Sequence, residues 1–329
     1  MHLIPKGTTF DVSDPKLVFY GVSDGWLVDV AELGFQIWTV GTTPVQVYPG
    51  SGRQPVDLVD DRLGKGRYAA TWTVPGGQAS GRYEIRWFYR LALADDELRA
   101  RERFEITSAF FSQGPFFAGP ADLASDESVT GVTEARLIQA IGVASRAVES
   151  FTRNLFEPTY RQLALSGRGS RLLNLPWAVS AIESVTVDDE LVETTDLVVF
   201  NRHLQGMLTD RGNPKLERRD GRFRQGPLMV KVHGVFGHLE VGGAPWGVQR
   251  AILTHVVKLL ALLETSTMGS AGREDVRNRY RVISESTRDQ AYSMSPQAGS
   301  ATGLPYFVGD PEIDSIIVQL MAPMQAAGV

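Results

Sequence analysis

Two apolar patterns with helical spacing, set far apart in the chain, limit most strongly what this sequence can fold into. In the first, Leu137, Ile141, Ala144, Val148, Phe151 and Leu155 recur at alternating steps of four and three between Thr133 and Phe156. That rhythm places all six on one narrow face of an α-helix. Thr133 is suited to cap its start, Glu134 falls in the first turn where the dipole favours an acid, and Pro158 forbids continuation beyond Glu157. In the second pattern, Trp246 to Glu264, the residues Val248, Ile252, Val256, Leu259 and Leu263 form a stripe that Leu253, Val257 and Leu260 widen. A helix apolar over so much of its circumference is buried on more than one side, so it is expected to close over the first. The residues expected to hold the pair together are Leu137, Ile141, Val148, Phe151, Val256, Leu259 and Leu263. The segment between the helices is strand-like, so the pair encloses an inserted β region.

Ahead of the helices, residues 1–107 read as a β-domain. Tyr83, Ile85, Trp87 and Tyr89 alternate with Glu84, Arg86, Phe88 and Arg90, the period of a half-buried strand. Phe104 and Ile106 repeat the pattern, and Leu27–Val30, Phe35–Val40, Val45–Tyr48 and Tyr68–Thr73 are further strand candidates. Turn clusters such as Pro49-Gly50-Ser51-Gly52 and Pro75-Gly76-Gly77 separate them. Short strands with frequent turns suggest an immunoglobulin-like sandwich, with Trp87 and Trp38 as its core markers. Residues 108–131 form a linker in which Phe110, Phe111, Phe116 and Phe117 are expected to pin the chain to a neighbouring surface.

Inside the insert, the strand candidates are Tyr160–Leu165, Arg171–Leu175, Ile182–Val187, Leu191–Val192, Leu197–Phe200, Leu228–His233 and Leu239–Val241, with Asp188-Asp189 as a hairpin turn. Asp210 to Gly226 reads as a polar loop. Beyond the second helix the chain turns polar, and residues 269–309 read as an extended arm. A last short helix over 310–329 begins with Asp310 as cap and Pro311 at the first helical position. It offers Ile313, Ile316, Ile317 and Leu320 on one side. So short a helix is not stable alone, so it is expected to dock on a partner. The fold class is therefore α+β and multidomain: a sandwich at 1–107, a linker, a core of two helices with an inserted β region at 132–268, an arm, and a docking helix.

Composition narrows the function classes. The chain has 329 residues, 43% hydrophobic and 22% charged, which is ordinary for a folded protein of more than one domain. The formal net charge is −5, and residues 1–107 carry 12 basic and 14 acidic side chains, so neither part is basic enough to read as a nucleic-acid clamp. Arginine outnumbers lysine 27 to 6, a bias that base composition explains and that arginine-rich pairing between subunits would also use. Without cysteine there is no thiol catalysis, disulfide or cysteine-bound zinc. The N-terminus lacks a basic-then-apolar signal pattern and no long apolar run is present, so neither secretion nor a membrane span is expected.

Candidate chemistry is sparse. His233 and His238 are five apart on a strand pattern and point to opposite faces, so no metal site is expected there. Gly167-Arg168-Gly169-Ser170 joins two strands and lacks the Lys-Ser/Thr pair and following helix of a phosphate loop, so it reads as a turn. No serine sits in a nucleophile elbow. The expectation is a protein with no catalytic residue, no cofactor and no metal. One charge cluster stands out: Lys215, Arg218, Arg219, Arg222 and Arg224, interleaved with Glu217 and Asp220. A solvated hairpin tip is the plain reading, and contact with DNA or an acidic partner is the functional one.

The second half resembles the head–tail connector, or neck adaptor, proteins of tailed bacteriophages. The resemblance is carried by the helix from Thr133-Glu134-Ala135-Arg136-Leu137-Ile138 to Phe151-Thr152-Arg153-Asn154-Leu155-Phe156. It continues in Val232-His233-Gly234-Val235-Phe236-Gly237, then Pro245, Val248 and Ala251, and in Gly309-Asp310-Pro311-Glu312-Ile313-Asp314. It spans about 130 to 329, and the front sandwich and large insert depart from the small connectors. It implies a virion protein at the neck, made in the host cytoplasm, forming a ring (commonly dodecameric) under the portal protein. Such a ring extends the DNA channel, passes double-stranded DNA without reading sequence, and meets tail terminator or stopper proteins. The C-terminal helix would dock on the portal, and the sandwich would face capsid or a decoration protein. An adhesin or glycan-binding module of a phage tail, built on the sandwich, is the alternative.

Overall fold

The computed structural model describes residues 2–108, 115–124, 126, 129–200, 214–237, 248–266, 285–286, 291–292 and 311–320. Among the described residues the fold is mainly β, with 41% in strands and 19% in helices. Its residues separate into two compact units, one drawn from 1–110 and 154–251, the other from 111–153 and 252–321.

In the first unit, one sheet runs in the spatial order His2–Pro5, Leu98–Thr107, Gly81–Arg90, Glu32–Thr39, Gln46–Tyr48. His2–Pro5 joins in parallel and the other pairs are antiparallel. Trp87 lies opposite both Ala100 and Phe35, which fixes the inward row as Tyr83, Ile85 and Trp87 beside Phe35, Ile37, Phe104 and Ile106. Val18–Tyr20, Arg67–Ala69 and Arg62–Gly64 form a second sheet, and Thr9–Phe10 pairs with Trp72–Thr73. Phe19 and Phe35 approach Trp87 at 5.4 and 5.5 Å between ring centroids, while Phe10 and Phe104 flank Trp72 at 5.8 and 6.4 Å. One aromatic core thus lies between the sheets, the arrangement of a β-sandwich.

Trp38 is not part of that core. Phe35 and Ile37 point inward, so the period of two turns Trp38 outward, where the Arg86 guanidinium lies 4.3 Å from its ring and its Nε1–H donates to Gln36 at 3.1 Å. Trp72 takes the buried place instead. The Leu27–Val30 candidate also fails as a sandwich strand. Trp26–Leu27 leaves the sandwich and adds in parallel to Val179–Val187, with Trp26 opposite Ile182 and Ile182 N–H donating to the Gly25 carbonyl at 2.7 Å. The turn around it is held by Asp29, whose carboxylate accepts from Arg62 Nη2, the Gly66 amide and the Tyr68 hydroxyl.

The inserted region is a β structure of its own. Its main sheet has the order Thr159–Gly167, Gly226–Phe236, Val179–Val187, Trp26–Leu27, Val22–Ser23. Asp188 and Asp189 both take the left-handed conformation, φ +57° and +64°, and make the tight turn to Glu190–Leu191. A smaller sheet sets Lys215–Arg218 between Leu172–Asn174 and Leu197–Phe200. The two share a core of Leu173, Leu175, Ile182, Val185, Leu216, Phe223, Val230, Val232 and Phe236. Because a strand of the front domain extends this sheet and Trp26 packs on its core, the insert belongs to the same unit as the sandwich. The expected single core over 132–268 is therefore divided.

The second unit is helical. Glu134–Thr152 begins after Thr133, which holds the N-cap position without a side-chain cap bond. It ends earlier than the apolar pattern suggests, at a left-handed Arg153 whose amide donates to the Glu149 carbonyl at 2.8 Å. Leu155 packs instead on the core of the insert. The helix buries Leu137, Ile138, Ile141, Ala144 and Val148, and Phe151 is half-buried. Val248–Ser266 buries Leu253, Val256, Val257 and Ala261, so its inward face is rotated from the expected stripe; Leu259 is half-buried, and the side chain of Leu263 lies outside the described residues. The main chain of Phe117 ties the helices together: its amide donates to Ser145 Oγ at 3.1 Å and its carbonyl accepts from Thr254 Oγ1 at 2.8 Å. Phe116 and Phe117 are buried, and Gly142 leaves room for the Phe116 ring. Phe110 and Phe111, Leu239–Val241 and most of the 269–309 arm lie outside the described residues.

Candidate functional site

The terminal helix, Pro311–Leu320, corrects the strongest expectation about partners. It packs on Glu134–Thr152 of its own chain. Ile313 and Ile317 are 2% and 0% exposed, Leu320 is 1% exposed, and Ile316 is half-buried. These side chains recur at steps of four and three, and the surface they need is supplied internally. The face expected to dock on a portal, Ile313, Ile316, Ile317 and Leu320, is thus covered by the chain's own first long helix.

The basic cluster has a different outcome. Lys215 and Arg218 are half-buried on a strand within the small sheet, while Arg219, Arg222 and Arg224 are exposed at its tip. Two of the five cations are committed locally: Arg224 pairs with Asp188, and Arg218 Nη1 donates to the Arg222 carbonyl at 3.2 Å. Arg219 and Arg222 pair with no acid among the described residues.

What the sequence does not show is the second loop beside this tip. Gly169 N–H donates to the Phe223 carbonyl at 2.9 Å, Phe223 N–H to the Ser170 carbonyl at 2.8 Å, and Arg218 N–H to the Arg171 carbonyl at 3.0 Å. A Cβ on Gly167 would fall 1.8 Å from the Arg224 carbonyl oxygen, so the two backbones touch directly there. Gly169, at φ +70°, completes the turn. Phe223 is fully buried beneath it and anchors the tip to the core. The turn brings Arg168 and Arg171, both exposed and without an acidic partner among the described residues, next to Arg219 and Arg222. The only hint in the sequence was two arginines in the turn Gly167 to Arg171.

Other polar features of the first unit hold structure together. The Arg67 guanidinium lies 3.5 Å from the Tyr160 ring centroid, joining a sandwich strand to the insert. Burial, reinforced by a hydrogen bond with Glu183, pushes the Tyr160 hydroxyl up to about 12. Burial alone would raise the Asp29 carboxyl, but bonds from Gly66, Tyr68 and Arg62 prevail and hold it below the usual range. Trp38, turned outward from the sandwich, has its ring face occupied by Arg86. His233 is half-buried in its strand and His238 lies outside the described residues. No group of three or more histidine or acidic side chains among the described residues is placed to hold a metal ion. No described helix is long and apolar enough to cross a membrane.

No protein-family model matches the chain, and no curated protein does. Among solved structures, the neck of an empty GTA particle, computed with C6 symmetry, aligns at 19% identity and a TM-score of 0.35. The match covers 50% of this chain and 85% of that one. GTA stands for gene transfer agent, so the neighbour is a phage-like neck, and the likeness is loose.

Proposed function

We propose that this chain is a structural virion protein of a phage-type neck, a connector subunit that forms a ring, dodecameric by the family resemblance, and joins head to tail around the DNA channel. The observation that supports this reading is the build of the helical unit. Its two long helices are tied through Phe117 across a β insert, and a terminal helix after a proline closes on the first. The two tied helices enclosing a β insert in sequence are the layout the connector resemblance of residues 130–329 implies, and the terminal helix departs from it by closing on its own chain. Portal, tail terminator or stopper proteins are the partners this function requires. In the free chain the apolar face of the terminal helix is covered by the first long helix, so the contact to the portal is expected to use another surface.

The test is copy number and position in intact particles. Mass-spectrometric quantitation against the portal protein should give one ring's worth of chains per particle, and gold-labelled antibody should mark a single vertex. Labelling spread over the whole capsid, or confined to the distal tip of the tail, would overturn the proposal. The second location would favour the adhesin alternative.

A further inference from the structure

We infer that the two tied loops form a binding site for the phosphate backbone of duplex DNA, made by Arg168 and Arg171 from one loop and Arg219 and Arg222 from the other. This group differs from the basic run read in the sequence. Arg218 and Arg224 drop out because their guanidinium groups are engaged by the Arg222 carbonyl and by Asp188. Arg168 and Arg171 enter because three main-chain hydrogen bonds and the close approach at Gly167 hold their turn against the tip.

Three physical points carry the assignment. The four guanidinium groups are exposed and pair with no acid among the described residues, although Asp196, Glu217 and Asp220 stand close to them along the chain and across the small sheet. Their backbone is rigid: Phe223, buried in the core, lies between the loops and bonds to both Gly169 and Ser170, so little loop entropy is lost on binding. Arginine presents a planar fork that matches phosphate oxygens two at a time. The chain as a whole is acidic, at −5, so attraction to a polyanion must be local, and this is where it is concentrated. Duplex DNA, with one charge per roughly 1.7 Å of axis, offers the density that four clustered guanidinium groups match. An acidic protein partner would also use the apolar rim, where Leu172 and Leu228 are 45% and 61% exposed. Phosphate contacts do not need that rim, and this difference separates the two partners.

The experiment uses the full chain and fluorescence anisotropy of a labelled random-sequence duplex across a salt series. Four phosphate contacts give a slope of about −3.6 in log affinity against log salt, a loss of roughly 100-fold between about 50 and 200 mM. The variant Arg168→Ala/Arg171→Ala/Arg219→Ala/Arg222→Ala should lose that slope and most of the low-salt affinity. A control with equal charge loss, Lys65→Ala/Arg99→Ala/Arg101→Ala/Arg146→Ala, should keep both. Circular dichroism confirms that each remains folded. Leu172→Ser/Leu228→Ser should bind DNA as wild type does. Absence of low-salt binding, equal weakening by tip and control variants, or polyglutamate competing as well as DNA would each overturn the assignment; a loss in the leucine variant would transfer the site to a protein partner. None of these outcomes depends on whether the chain sits at a neck, because the measurement uses the isolated protein.

Discussion

Replacing Ile317 by alanine tests whether the terminal helix is part of the free chain's own core. The side chain is fully buried, between Ile313 and Leu320 on one face of the helix, and the helix rests on Glu134–Thr152. Ile→Ala removes three carbon groups, worth about 0.8 kcal/mol each in transfer from water. The cavity left behind raises the cost, and comparable substitutions fall at about 2–5 kcal/mol. A loss of about 3 kcal/mol is expected, equivalent to a midpoint lower by roughly 12 °C in a unit of about a hundred residues. Ile316→Ala, on the half-buried flank, is the internal control and should cost about 1 kcal/mol. The assay is thermal unfolding of the isolated chain followed by ellipticity at a helix band. The tryptophans among the described residues (26, 38, 72, 87 and 177) fall in the sheet-rich unit, so fluorescence is a channel weighted to that unit. Should Ile317→Ala lower the ellipticity midpoint no more than Ile316→Ala, the helix contributes nothing to the free chain, and an outside surface for it would have to be restored.

Three further perturbations follow from the first unit. Gly167→Ala forces a methyl group against the Arg224 carbonyl, so the loops must part; a loss of about 2 kcal/mol or more in denaturant unfolding is expected, and wild-type stability would contradict the close approach. Asp29→Asn should weaken the fold at neutral pH and flatten its acid sensitivity. The Asp29 carboxyl is held low in the folded state, so its stabilisation is present above the ordinary aspartate range and lost as pH falls through the folded value; parallel acid-unfolding curves for variant and wild type would refute this. Tyr160, raised to about 12, stays neutral when the unfolded chain's tyrosines ionise near 10, so its share of stability is lost as pH rises across that window. Tyr160→Phe should therefore be less sensitive to alkali than wild type in unfolding followed by fluorescence.

Much of the fold was legible where one period dominates. The alternation through Tyr83, Ile85 and Trp87 gave the central sandwich strand, and the Asp188-Asp189 turn was readable from its residue types. Trp38 misled because its size suggested the core, whereas parity with Phe35 and Ile37 turns it outward. The strand Lys215–Arg218 was hidden in a stretch with one apolar residue, Leu216, because pairing on both sides imposes extended backbone regardless of propensity. The end of Glu134–Thr152 was misread for a related reason: the apolar rhythm continues to Leu155, but that side chain serves the β insert rather than the helix. Half of the basic site was visible as a run of five cations. The other half, Arg168 and Arg171, depends on contacts between residues some fifty positions apart in sequence, which local pattern does not encode.

On the connector reading proposed above, closure of the terminal helix changes what the ring would have left to assemble with. Large apolar side chains that remain exposed among the described residues are Val45, Val59, Leu93, Leu98, Val143, Leu172, Leu191 and Leu228, and they fall on separate strands, turns and one helix. Scattered residues of this kind do not make the apolar centre of an obligate interface. Arginines, by contrast, are frequent and often exposed, as at Arg99, Arg101, Arg146, Arg168 and Arg171. A ring built by such a surface would be held largely by arginine contacts with acidic groups of the next copy or of the portal, and these weaken as salt shortens the range of charge. Association of the chain with portal-bearing particles should accordingly fall as ionic strength rises, measured by co-sedimentation. Association that strengthens with salt would instead point to a buried apolar contact.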